Sequence, residues 1–169
     1  MELKKYLFAF LSVAIIGFGT AQEEKSTVDI SYNLAENDVI AASNNLDVIE
    51  NTSLYLMDLE DASGNNRISI SNHNTSTDAV FEIINSNSSG VLHVVDLFGN
   101  ENEWQHVVFT ADENGLMKVY KNGEEVGKGE GVAPNTNVKY KGYLGKDISG
   151  TEVTFFGSLR DVRLYRRVL

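Results

Sequence analysis

Residues 104–129, WQHVVFTADENGLMKVYKNGEEVGKG, constrain the fold more than any other stretch. WQHVVFTA joins a Trp to β-branched and aromatic residues, the composition of a strand. The cluster Asp112-Glu113-Asn114-Gly115 bends the chain. LMKVYK is a second strand, with Met117 and Val119 on one face and Lys118 and Tyr120 on the other. Asn122-Gly123 supplies residues that tolerate positive φ, as a two-residue hairpin turn requires. EEVGKG follows as a third, mostly polar strand. In the first of these strands Trp104 and Val108 share one face, and Val107 and Phe109 share the other. A strand apolar on both sides belongs in the middle of a sandwich. Trp104 and His106 are therefore assigned to the structural core, with sugar stacking as the competing role for the Trp.

The rest of the chain repeats this pattern. SLYLMDL and RISIS flank a turn cluster at Asp61–Asn66, AVFEII pairs with GVLHVVDL, and VKYKGYLGK precedes a last strand. In that last strand Val162 and Leu164 point one way, and Asp161, Arg163 and Tyr165 the other. No segment keeps a helical period, and Pro134 is the single proline. The reading is an all-β protein, an antiparallel jelly-roll β-sandwich. With 169 residues the chain can bury one real core. There is no cysteine, so disulfides and thiolate metal sites are excluded. A formal net charge of −10 argues against nucleic acid and anionic membranes as partners.

Residues 1–21 are read as a secretory signal peptide, set apart from the fold. Lys4 and Lys5 precede the apolar run YLFAFLSVAIIGFG, and Gly19-Thr20-Ala21 offers a small-residue cleavage site before Gln22. The run is short for a membrane anchor, so no span is expected after cleavage. The protein is expected to be secreted, or to reside in the periplasm or at the cell surface. Residues 22–53 are an N-terminal strand and linker region in which Val28, Ile30 and Tyr32 share a face. Residues 54–169 form the sandwich proper.

Three motifs carry a family resemblance. W-x-H-V-x-x-T followed by Y-x-N-G from Trp104, Y-x-G-Y-L-G from Tyr140, and F-G-S-L-R-D-V-R-L-Y-R-R from Phe156 occur in family order. The chain resembles laminin-G-like domains of the concanavalin A-like lectin/glucanase superfamily. That resemblance implies the concanavalin A-like sandwich and a recognition function, although the fold hosts lectins, adhesive modules and glycosidases. Two stretches are similar to the pentraxin branch: Gly64-Asn65-Asn66-Arg67, and Leu144-Gly145-Lys146-Asp147. The similarity implies a calcium site built from Asn65, Asn66 and Asp147, with Asp61 as a fourth ligand. Calcium is the one candidate cofactor. With so few carboxylates its affinity would be weak.

The glycosidases of the superfamily place paired acids on one strand as E-x-D-x-(x)-E, and this chain has no such spacing. His73, His93 and His106 stand apart in sequence. The chain is thus read as a non-enzyme: a recognition module for a glycan or an extracellular or cell-surface protein. The alternatives are a structural domain that packs against partner chains and a divergent glycoside hydrolase.

Overall fold

The computed structural model describes residues 11–16, 29–32, 38–40, 53–74, 76–99, 103–148 and 158–165. Among them are twelve strands and no helix. In chain order these are β1 (Leu11–Ile16), β2 (Asp29–Tyr32), β3 (Asp38–Ile40), β4 (Tyr55–Asp61), β5 (Asn66–Asn72) and β6 (Ala79–Asn85). Then come β7 (Ser88–Val94), β8 (Gln105–Ala111), β9 (Leu116–Lys121), β10 (Glu124–Glu130), β11 (Tyr140–Leu144) and β12 (Ser158–Leu164). Sheet A runs β10-β9-β8-β1-β12-β3 and sheet B runs β2-β11-β4-β5-β6-β7. All pairings are antiparallel.

Local chemistry accounts for the hairpins. Asn122 and Gly123 have φ of 51° and 90°, the left-handed pair that the β9–β10 turn needs. Asp112 closes the β8–β9 turn, its Oδ1 accepting from the N–H groups of Asn114 and Leu116, both at 2.8 Å.

Strand alternation then builds the core between the sheets. Leu59, Ile68, Ile70, Phe81 and Ile83 of sheet B face Val107, Phe109, Ala111, Met117 and Val119 of sheet A. Phe81 meets Phe109 edge to face across the gap, with ring centroids 5.5 Å apart. Val162 and Leu164 are buried as their parity requires, while Asp161 and Arg163 are exposed. On one flank β7 of sheet B lies against β10 of sheet A. The backbones approach so closely there that a Cβ on Gly90 would collide with Gly131.

Within the apolar run, β1 occupies the middle of sheet A, paired to β8 on one side and β12 on the other. Leu11, Val13 and Ile15 pair with Phe109, Val107 and Gln105, the inward positions of β8.

Candidate functional site

Trp104 and His106 are not in the core. Trp104 is 37% exposed, and His106 is exposed as well. The reason is parity. β8 begins at Gln105, and its inward set is Gln105, Val107, Phe109 and Ala111, all buried. His106 therefore points outward, and Trp104 precedes the strand. Phe109 holds the core position that the sequence reading gave to the Trp. His106 still has a structural part through its backbone: its N–H donates to Asn122 Oδ1 at 2.9 Å, and its carbonyl accepts from Asn122 N–H at 2.7 Å.

A guanidinium lies on the exposed Trp. Arg160 Cζ is 4.1 Å from the centre of the Trp104 ring, a cation–π contact. Arg160 comes from β12, and Ala14 of β1 pairs with both Arg160 and His106. A bulge between Ser12 and Ala14 shifts the β12 register, and Asp161 there has a φ of 54°. Arg160, Asp161 and Arg163 all face outward as a result, while Leu159, Val162 and Leu164 stay buried. Tyr165 and Asp161 hold the Arg163 guanidinium above its ordinary pKa, and its Nε donates to Asp161 Oδ1 at 2.8 Å. Arg160 differs: among the described residues no carboxylate forms an ion pair with it. This part of sheet A thus presents an aromatic ring and a cation in an acidic chain.

The outer face of sheet B carries an ion pair that sequence reasoning missed. Asp58, fully buried, accepts Arg67 Nε at 2.7 Å on Oδ1 and Arg67 Nη2 at 2.6 Å on Oδ2. The Ile148 N–H also donates to Asp58 Oδ2, at 2.9 Å. The Arg67 guanidinium lies 5.3 Å from the Tyr55 ring centre, and Lys146 Nζ sits 3.8 Å from that of Tyr143. The chain after β11 folds over this face and seals it. The signal in the sequence was a lone Asp inside the apolar run LYLMDL. With both oxygens engaged, Asp58 is not available to attack a ligand.

The four predicted calcium ligands fall into two places. Asp61, Asn65 and Asn66 share one loop. Asp61 Oδ1 accepts from the N–H groups of Asn65 and Asn66 at 3.0 Å, and its Oδ2 accepts from Ser63 Oγ at 2.7 Å and Asn66 Nδ2 at 3.1 Å. Burial works against the Asp61 charge, but hydrogen bonds from Ser63, Asn66 and Asn65 outweigh it and hold its pKa below the usual value. Asn66 Oδ1 in turn accepts from Asn135 Nδ2 at 3.2 Å. Asp147 is buried elsewhere, beside Ile148 and hence beside Asp58. Asp61 follows Asp58 by three positions on β4, which puts them roughly 10 Å apart and on opposite faces. The turn after β11 bends back over the sheet, which brings Ile148 onto Asp58. Among the described residues, no three His, Asp or Glu groups converge as metal ligands.

His73 and His93 are separate in sequence yet meet in space, with ring centroids 5.4 Å apart and planes at 80°. Among the described residues no helix is long and apolar enough to cross a membrane.

Comparisons agree with this architecture. The botulinum neurotoxin serotype G binding domain superposes with a TM-score of 0.55 at 14% identity, over 98% of this chain and 34% of that one. The structure titled for cell entry of botulinum neurotoxin type C through two ganglioside molecules gives 0.52 at 16% identity, over 99% and 33%. Domains LG4-5 of the mouse laminin alpha1 chain give 0.53 at 10% identity, over 94% and 44%. This chain thus spans about a third of each neurotoxin chain and under half of the laminin one. No curated protein matches in sequence. A laminin G family profile, described as the concanavalin A-like lectin/glucanases superfamily, matches residues 40–169. With that match over most of its length and two antiparallel sheets around one core, the chain belongs to the laminin G group of the concanavalin A-like lectin/glucanase superfamily.

Proposed function

We propose that this is an extracellular, non-catalytic recognition module that binds a glycan on the outer face of sheet A. One observation carries the reading: the sole Trp of the chain is at the surface, with the Arg160 guanidinium stacked on it at 4.1 Å. An exposed indole supplies an apolar platform for a sugar ring, and the guanidinium supplies fixed donors for hydroxyl or carboxylate oxygens. Neither arrangement needs a metal. The ganglioside interaction named for the type C neurotoxin structure supports a glycan as ligand for this fold. The leader-like residues 1–21 support export.

A glycan array tests the reading. The wild-type chain should bind a defined subset of glycans, and Trp104→Ala should lose them while keeping its far-UV circular dichroism. Unchanged array binding by a folded Trp104→Ala chain would refute the assignment.

A second reading, packing against a partner chain, rests on Val91, Val95 and Val126, which are 42%, 81% and 42% exposed. A pull-down that recovers a protein partner, abolished by Val95→Asp but not by Trp104→Ala, would favour it.

A further inference from the structure

His73 and His93 reach each other across a third strand. Ile68 and Ile70 of β5 face the core, so Ser71 and, one residue past the strand, His73 take the outer face of sheet B. Leu92 and Val94 of β7 are buried in the same way, which turns His93 to that outer face. β6 runs between, with Val80 opposite both Ser71 and His93. Two strand spacings, roughly 9.5 Å, separate β5 from β7. The ring centres are nevertheless 5.4 Å apart, with planes at 80°, so both side chains lean in over β6. Both residues are exposed, yet their backbones are fixed. The His73 N–H donates to the Asp78 carbonyl at 2.9 Å, and the His73 carbonyl accepts from Ser76 N–H at 3.0 Å and Ser76 Oγ at 2.7 Å. His93 sits inside the β6–β7 ladder.

We propose that this pair is a binding site for one divalent transition-metal ion, zinc or copper(II), chelated by both imidazoles. A Zn–N bond of about 2.0–2.1 Å places each ring centre about 3.2 Å from the metal, so two imidazoles at a tetrahedral angle hold their centres about 5.2 Å apart. The observed 5.4 Å needs almost no closure. Histidine χ2 is a soft, two-fold torsion, so each ring can turn a nitrogen towards a shared point without moving the backbone. The donors select the ion: imidazole suits zinc and copper, whereas calcium and magnesium take oxygen ligands. The chemistry is therefore separate from that of Asp61, Asn65 and Asn66. Asp78, whose carbonyl holds the His73 N–H, turns its Oδ1 to the Asp96 N–H at 2.8 Å. Among the described residues no third His, Asp or Glu completes the set. The remaining coordination positions belong to water or to a donor on a bound ligand. A formal net charge of −10 raises the local concentration of cations around the chain. Bound there, the ion ties the 73–78 loop to β7, and so stabilises the native state alone.

Calorimetric titration of the untagged chain with zinc and copper(II) salts tests the site. One ion should bind per chain, copper(II) more tightly than zinc, and excess calcium should not displace it. His73→Ala and His93→Ala should each weaken binding about tenfold or more, and His106→Ala should leave it unchanged. Zinc well above its Kd should raise the melting temperature of the wild-type chain and of neither pair variant. On the wild-type chain, substoichiometric copper(II) should broaden the ring proton resonances of His73 and His93 before those of His106. Three results would overturn the proposal. The absence of saturable zinc or copper(II) binding up to millimolar metal would leave the pair a ring contact only. Loss of binding with just one of the two substitutions would mark a single-histidine surface contact. Equal broadening of all three histidines would show that the ion has no preferred place.

Discussion

Arg67 stands opposite Glu60 in the β4–β5 register, yet its guanidinium passes over to Asp58 and grips it with two parallel bonds of 2.7 and 2.6 Å. The diagonal choice follows from burial. Asp58 is out of reach of water and Glu60 is not, so the cation is worth most where the carboxylate has no other source of solvation. The bonds to Asp58 also hold the Arg67 guanidinium above its ordinary pKa.

Arg67→Leu should therefore cost about 3–5 kcal/mol in urea unfolding, because it leaves a buried carboxylate unpaired. The double variant Asp58→Leu, Arg67→Leu should recover much of that loss. A single variant within ~1 kcal/mol of wild type would show that water reaches Asp58.

Trp104 and Phe109 should behave oppositely. Phe109→Ala empties a core position and should cost about 3–5 kcal/mol. Trp104→Ala removes a half-exposed ring and one cation–π contact, so about 1–2 kcal/mol is expected, mostly from lost packing against Arg160. Equal melting-point losses would return Trp104 to the core.

Tyr140 makes a prediction at high pH. Its hydroxyl is buried without an aligned partner, and burial, helped by the charge of Asp61, pushes its pKa up to about 12. The unfolded chain releases this proton near pH 10. Between those values the folded state binds more protons, so stability should be fully present below about pH 10 and fall towards pH 12. Tyr140→Phe should be near neutral at pH 7 and should show a shallower alkaline decline.

Calcium makes the fourth prediction. The acceptor positions of Asp61 already hold Asn65, Ser63 and Asn66, and Asp147 belongs to the other face. Submillimolar calcium should leave the melting temperature unchanged, whereas Asp61→Ala should loosen the 61–66 loop without any metal present. A calcium-dependent rise that Asp147→Ala removes would restore the shared site.

Strand positions and turns were largely legible in the sequence. Asn122-Gly123 and the alternation of Met117 and Val119 depend on nearest neighbours, and the structure agrees with both. The faces of β8 were misread because both carried apolar residues. What separated them was the start of the strand, one residue after Trp104. Asp58 with Arg67, and His73 with His93, depend on which strands become neighbours and with what register. Residue spacing does not encode that. The surroundings of Asp147 were equally out of reach, because the Ile148 bond to Asp58 joins residues 90 positions apart.

Where Gly90 passes Gly131, the outermost strands of the two sheets lie against each other. A protein sheet can be extended by another chain only along an edge that is open to it. This flank is shut by backbone contact, so among the described strands β2 and β3 offer the remaining rims. Each is short, at four and three residues. Fibre growth or capture of a foreign strand would thus have to start on that side. Widening the glycine contact, as in Gly90→Val, should open a second rim along which strands can add.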